Sequence, residues 1–377
     1  MTIGIDASRA IKSNRTGTEN YCRNLILAIL KIAGDQRIRL YFADEPTSVF
    51  KNLPKNFETK VIKRKKYWTQ IGLSLEILKN PPDVLFVPAH ILPPITAKKS
   101  VVTIHDLAWK YFPEAYSASE RRLQDLAIRR AIKKHADIIV YSESTASDLK
   151  KFYKFDDKKI HFVPMGFEPR HCEEERRSNL PTNKDCRASL AMTNQKYILF
   201  VGRLEAKKNI LNLIESYKLL RQERKISEKL VLVGKPGFRY DEIKKMIDSA
   251  GKIKNDIIET GFVSDDELSK LYKNASVFVF PSLYEGFGFP ILEAFAAGTP
   301  VVTSNTSSMP EVAGDAAILV NPKKPFEIAA AISQILNKPR LRDDLVKKGF
   351  AQLKNYDWNI CAKETLKILT GTDDKFS

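Results

Sequence analysis

Two clusters in the second half of this chain combine cations, glycines and carboxylates in a pattern suited to a phosphate beside hydroxyl groups. The first is Val201-Gly202-Arg203-Leu204-Glu205-Ala206-Lys207-Lys208-Asn209. Gly202 permits a sharp turn out of a strand. Arg203 and Lys208 can then converge on one anion, the arginine as a two-pronged donor and the lysine as a compact point charge. Read alone, the pair is equally well two surface cations near a helix start. The second cluster is Glu285-Gly286-Phe287-Gly288-Phe289-Pro290-Ile291-Leu292-Glu293. Here a glycine-rich turn feeds a helix opened by Pro290, so the N–H groups of Gly286, Phe287, Gly288 and Phe289 and the helix dipole favour an anion. Phosphate alone leaves the flanking carboxylates unexplained. Carboxylates that accept from hydroxyls explain them: Glu285 from those of a sugar, and Glu293, one helical turn further on, from a ribose diol.

These clusters need strands that end beside them, and the chain supplies a suitable alternation. Short β-branched runs alternate with longer amphipathic stretches, the pattern of βαβ units and parallel sheets. In the first half the strand candidates are Ile3–Asp6, Arg39–Phe42, Val84–Val87, Val101–Ile104, Ile138–Tyr141 and Ile160–Val163, with helical stretches at Glu19–Ile32 and Ser119–Lys134. In the second they are Tyr197–Val201, Leu230–Val233, Ile257–Thr260, Val277–Phe280, Val301–Thr303 and Ala317–Val320. Pro290 opens a helix over Ile291–Ala297, and Gly298 with Pro300 stops it. Between the two series, Phe167–Thr193 is charged, carries two prolines and has no apolar period. The reading is a domain over 1–170, a connection over 171–193, a second domain over 194–355, and a C-terminal helix over 356–377 that can pack back on the first domain. In open α/β sheets of this kind, ligands bind beyond the carboxyl ends of the strands.

In the first half, Gly17 and Thr18 precede a helix and offer close backbone approach to the same anion. Read alone, they are an N-cap. His105-Asp106 follows the Val101–Ile104 strand at its carboxyl end. No D-x-D type cluster suited to Mg²⁺ is present, so no metal site is expected. Four cysteines without a C-x-x-C pair point to neither zinc nor a disulfide framework.

The spacing of G-R-L-x3-K-N and, some 75 residues on, E-G-F-G-F-P-x2-E resembles glycosyltransferase family 4, the retaining GT-B enzymes. Gly261-Phe262-Val263-Ser264, Phe280-Pro281-Ser282, Ala296-Ala297-Gly298-Thr299-Pro300-Val301-Val302 and Tyr356-Asp357-Trp358 add to the likeness, which covers essentially the whole chain. The first domain has Gly17 where many members carry a Gly-Gly pair. The resemblance implies two Rossmann-like, doubly wound parallel-sheet domains facing a central cleft. It implies Glu285 and Glu293 as the paired glutamates of the donor site and Arg203 and Lys208 as the groups neutralising a diphosphate. It also implies the Gly261–Val263 edge, Val263 included, holding the base through backbone contacts and His105 reading the transferred sugar, with Gly202 and Gly286–Phe289 lining the donor loop; Asp106, next in sequence, is placed to orient the His105 ring. The implied reaction is retaining, metal-independent transfer of a hexosyl group from a nucleotide diphosphate sugar to a glycan or lipid-linked hydroxyl. The stretches His105–Glu114 and Gly234–Phe238 look like the mannosyltransferase branch, so GDP-mannose is the favoured donor, and no other cofactor is expected. A UDP-sugar transferase, a sugar-phosphate synthase or phosphorylase, and a non-catalytic nucleotide-sugar binding module stay as alternatives.

The chain has 377 residues, 43% hydrophobic and 28% charged, with a net charge of +17. Such a charge suits nucleic acid, an anionic membrane surface or phosphate-bearing substrates. No zinc-finger spacing, RRM signature or basic-zipper pattern is visible, which argues against a nucleic-acid partner. No apolar run reaches the ~18 residues of a membrane span. Met1–Asp6 enters a strand pattern without a basic leader, so it does not read as a signal peptide, and the widely separated cysteines suit a reducing cytoplasm. The run Lys63-Arg64-Lys65-Lys66-Tyr67-Trp68 precedes an apolar-rich segment, which predicts peripheral association with an anionic membrane through the cations and the two aromatics.

Overall fold

A computed structural model of the chain describes residues 1–12, 17–64, 66–169, 196–223 and 226–371. The proposed connection over 171–193 therefore lies outside the described residues. The chain divides into two compact units, Met1–Glu168 with Tyr356–Ser377, and Pro169–Asn355.

The first unit is built on seven parallel strands: β1 (Thr2–Asp6), β2 (Arg37–Phe42), β3 (Phe57–Val61), β4 (Val84–Val87), β5 (Lys99–Thr103), β6 (Asp137–Val140) and β7 (Ile160–Phe162). They lie in the order β3-β2-β1-β4-β5-β6-β7. The strand order reverses between β1 and β4, which pair directly. Central strands buried on both faces read as short apolar runs: all four residues of β4 and of β6 are buried. That is why the alternation was visible in sequence. β3 was not foreseen. It is an edge strand whose middle residues Glu58, Thr59 and Lys60 are exposed, so Phe-Glu-Thr-Lys-Val carries no apolar run.

The Trp358–Thr370 helix belongs to this first unit. It lies against the Gly17–Ile32 helix, with the Tyr21 and Trp358 rings 6.2 Å apart. A Cβ on Gly166 would come within 2.3 Å of the Trp358 ring, so only glycine fits this approach.

The second unit repeats the plan with β8 (Tyr197–Val201), β9 (Lys229–Val233), β10 (Ile257–Gly261), β11 (Val277–Phe280), β12 (Val301–Ser304) and β13 (Ala317–Val320). The order is β10-β9-β8-β11-β12-β13, all parallel, reversing between β8 and β11. The Pro290 helix runs over Phe289–Ala296, and Gly298 follows it in a left-handed conformation, φ +70°. In open parallel sheets, such a reversal is where the crossovers diverge and a crevice opens beyond the carboxyl ends of the adjacent strands, here β8 and β11.

Candidate functional site

In the second unit the loops that follow β8 and β11 meet at the reversal point. The β8 loop is shaped by its neighbour after β9. Gly234 has φ +149°, and a Cβ there would fall 1.9 Å from the Gly202 carbonyl oxygen, so both backbones approach with no side chain between them. Leu204 N–H donates to Lys235 O at 2.9 Å, and Gly237 N–H returns a bond to Leu204 O at 2.9 Å. A short turn over Ala206–Lys208 then brings up Asn209 at φ +61°. The Asn209 amide donates to Pro281 O (3.0 Å) and Pro322 O (2.5 Å), tying the loop to the segment after β11.

This geometry delivers Lys208 to Glu285. The ammonium pairs with Glu285 Oε1, and the two side chains are only 13% and 14% exposed. Ser282 Oγ donates to the same oxygen at 2.6 Å, and the Lys208 ammonium sits 5.0 Å over the Phe280 ring. Burial alone would raise the Glu285 pKa. The charges of Lys208 and Lys207, with hydrogen bonds from Lys208 and Ser282, outweigh it and hold the carboxyl below the ordinary glutamate range. The result is an ionised carboxylate beside a cation at the crevice.

The remaining predicted residues are distributed around this pair. Glu293 is half-buried on the Pro290 helix and accepts from Tyr272 OH at 2.9 Å. Phe287 is buried and meets Phe289 edge to face at 5.2 Å, while Gly288 has φ +153°. Val263 is buried just beyond β10, so its side chain is committed to packing and its backbone is what a ligand could meet. Arg203 is exposed, its stem close to Gly237. Among the described residues, Lys208 reaches Glu285 and Arg203 does not.

Several residues of this site were not singled out in sequence. Tyr272 holds Glu293. Ser307 and Ser308 grip the backbone at Glu285: its N–H donates to Ser307 Oγ (3.1 Å), and its carbonyl accepts from Ser307 Oγ (2.5 Å) and Ser308 Oγ (3.0 Å). The visible signal was a hydroxyl run, Thr306-Ser307-Ser308, ahead of Met309-Pro310. It reads as an ordinary helix start.

In the first unit, titratable groups collect beyond the ends of β1, β4, β5 and β6. His105 is 5% exposed. Its Nδ1 lies 2.7 Å from Tyr141 OH and its Nε2 lies 3.2 Å from Pro88 O. A carbonyl can only accept, so Nε2 carries the proton and Nδ1 accepts from the tyrosine. Burial, with the nearby His90 ring, pushes the His105 pKa well below the usual histidine value, so the ring is neutral. Asp106 does not orient this ring, although its place next to His105 in sequence suggests it would. Its Oδ1 accepts from Ala108 N–H at 2.8 Å, and the ring is set by β6 and β4 neighbours instead. His90 packs edge-on to His105 at 4.8 Å. Gly17 and Thr18 open the Gly17–Ile32 helix, Gly17 exposed with open space around it. Buried Glu19 pairs with Arg9 at 2.7 Å. Among the described residues, no group of three or more His, Cys, Asp or Glu side chains is arranged to hold a metal ion.

Two family models match the chain: glycosyl transferases group 1 over residues 182–352, and glycosyltransferase family 4 over residues 16–171. The chain is 30% identical over 289 residues to the O-antigen chain mannosyltransferase B of Escherichia coli, covering 77% of this chain and 74% of that one. It is 35% identical over 164 residues to the serotype-specific mannosyltransferase WbdA of Escherichia coli. That match covers 43% of this chain and spans only 20% of WbdA's length. Among solved structures, Anabaena HepE in complex with UDP-glucose aligns with a TM-score of 0.66 over 98% of this chain and 99% of that one. At 16% identity, this is a likeness of fold.

Proposed function

Because this chain belongs to glycosyltransferase family 4, we propose that it is a retaining, metal-independent hexosyltransferase that moves a mannosyl group from GDP-mannose to a hydroxyl of a glycan or lipid-linked acceptor. The observation that carries the proposal is the Lys208–Glu285 pair at the strand reversal between β8 and β11. A diphosphate leaving group gains negative charge as the sugar departs, and a preformed cation in a partly desolvated crevice is suited to stabilise that charge. Glu285, kept ionised, accepts from hydroxyls of the transferred sugar; Glu293 accepts from the ribose diol. With Lys208 and Arg203 supplying positive charge, no bridging ion is required. In retention by front-face attack, the departing phosphate takes the acceptor's proton, so the protein needs no carboxylate nucleophile of the glycosidase kind. The choice of mannose rests on the two mannosyltransferase relatives.

Calorimetric titration with a panel of GDP- and UDP-sugars tests the donor. Turnover of radiolabelled GDP-mannose, with the product anomer assigned by NMR and the rate compared with and without EDTA, tests the reaction. Binding of no nucleotide sugar would reduce the chain to another role, and loss of activity in EDTA would overturn the metal-free scheme.

Peripheral membrane association forms part of the same proposal. Among the described residues, no helix is long and apolar enough to cross a membrane. Tyr67, Ile71, Leu75 and Leu78 are exposed, and their spacing puts them on one side of the Trp68–Leu73 turn and the Ser74–Lys79 helix. Exposed Lys63, Arg64 and Lys66 precede this apolar stripe, while Lys65 lies outside the described residues. Trp68 is not available as an anchor. Its indole N–H donates to Ile62 O at 2.9 Å, and its ring packs on the core. Tyr67 and the stripe take that part.

A further inference from the structure

We propose that Ser307 and Ser308 are positioning residues that aim two backbone N–H groups of the 285–288 loop at the diphosphate of the donor; the proposal rests on the donor-site reading above. Ser307 is a non-glycine residue held at φ +58°, in the left-handed region that L-residues with a side chain rarely adopt. Such backbone persists where surrounding contacts over-determine it. Here the contacts are with Glu285: Ser307 Oγ accepts from its N–H at 3.1 Å and donates to its carbonyl at 2.5 Å. The next residue, Ser308, is fully buried. Its hydroxyl lies within hydrogen-bonding reach of Glu285 O at 3.0 Å and of Phe287 O.

The serines therefore hold two carbonyls, those of Glu285 and Phe287. In a planar trans peptide the N–H points opposite to the C=O. Fixing these carbonyls toward the serines turns the N–H groups of Gly286 and Gly288 away from them. Neither N–H has an acceptor among the described residues. Buried or half-buried amides without a protein acceptor are costly unless a ligand or water satisfies them, and both Gly286 and Gly288 are buried. An anion is the ligand two N–H donors favour, and Lys208 lies beside the same loop through Glu285. The serines touch no substrate in this scheme. They act through the peptide planes, whereas Ser282 and Lys208 fix the Glu285 side chain.

The test compares GDP with GMP by calorimetry in wild type, Ser307→Gly and Ser308→Ala, with UDP and UMP as a second pair. Glycine keeps the left-handed backbone without strain, so Ser307→Gly removes only the hydroxyl. Affinity for the diphosphate should fall about ten-fold or more in each variant while that for the monophosphate changes by under about three-fold. Equal losses for both nucleotides, or no loss for either, would overturn the assignment; if Ser308→Ala does not fold, Ser307→Gly decides alone. Wild type binding neither diphosphate would overturn the donor-site reading and this inference with it. Loss of GDP binding in Lys208→Ala together with normal binding in the serine variants would overturn this inference alone.

Discussion

The ammonium of Lys208 meets the carboxylate of Glu285 between the carboxyl ends of β8 and β11, the two adjacent strands at which the order of the second sheet reverses. The pair joins residues 77 positions apart in sequence and is largely withdrawn from water. Removing one partner strands the other charge in a poorly solvated place, which costs more than the pair itself contributes. Lys208→Ala should lower kcat by about 10²–10³-fold, the scale seen when one preorganised donor to developing charge is lost. Lys208→Met combined with Glu285→Gln should be more stable than Lys208→Met alone, measured by urea unfolding. A double variant no more stable than the single one would show that the two charges are not coupled.

Neutral, buried His105 makes stability depend on pH in a defined direction. Above about pH 6.5 the ring is uncharged in both the folded and the unfolded chain. As the pH falls, the unfolded chain takes up a proton that the folded protein refuses, so stability declines toward the depressed folded pKa. His105→Gln should flatten this decline between about pH 6.5 and 5 in urea midpoints measured across pH. An unchanged slope would mean that the ring is protonated in the folded state.

Tyr272 donates to Glu293 and is itself buried. Tyr272→Phe should weaken binding of free GDP by about 1–2 kcal/mol through loosened placement of the carboxylate, and Glu293→Ala by about 1–3 kcal/mol. The corresponding 2′,3′-dideoxy nucleotide should show no such difference between wild type and Glu293→Ala. A retained difference would separate Glu293 from the ribose.

Gly234→Ala introduces a Cβ 1.9 Å from the Gly202 carbonyl oxygen at a backbone angle that side chains disfavour. The loops after β8 and β9 would have to separate, and a loss of about 3 kcal/mol or more in unfolding free energy is expected. Thermal unfolding should show it directly, with donor binding lost at temperatures where the variant is still folded.

Sedimentation with liposomes should detect the exposed stripe. Binding should rise with the share of anionic lipid and fall with salt, because a Debye length of about 8 Å at physiological ionic strength screens surface charge. Leu75→Ser with Leu78→Ser, and separately Lys63→Ser with Arg64→Ser and Lys66→Ser, should each reduce pelleting. Equal pelleting of both variants and wild type would assign the net charge of +17 to general surface composition.

Much of this molecule was legible in one dimension. Parallel strands buried on both faces carry their burial as apolar runs, so β4, β8 and β11 could be read with little error. Glycines at sharp turns and the Pro290–Gly298 punctuation mark backbone geometry that few other residues tolerate, and they located the loops where chemistry gathers. Edge strand β3 was illegible because exposed Glu58, Thr59 and Lys60 leave no periodic apolar signal. What sequence alone left open was which groups touch. Lys208 rather than Arg203 meets Glu285 because the β8 loop is tied to the segment after β11 through Asn209. The His105 ring is set by Tyr141 and Pro88 rather than by adjacent Asp106, because strands β4 and β6 flank β5 in the sheet. Local rules of turn and burial act along the chain, whereas hydrogen-bond partners are assigned by strand order, which brings together residues that no local spacing relates.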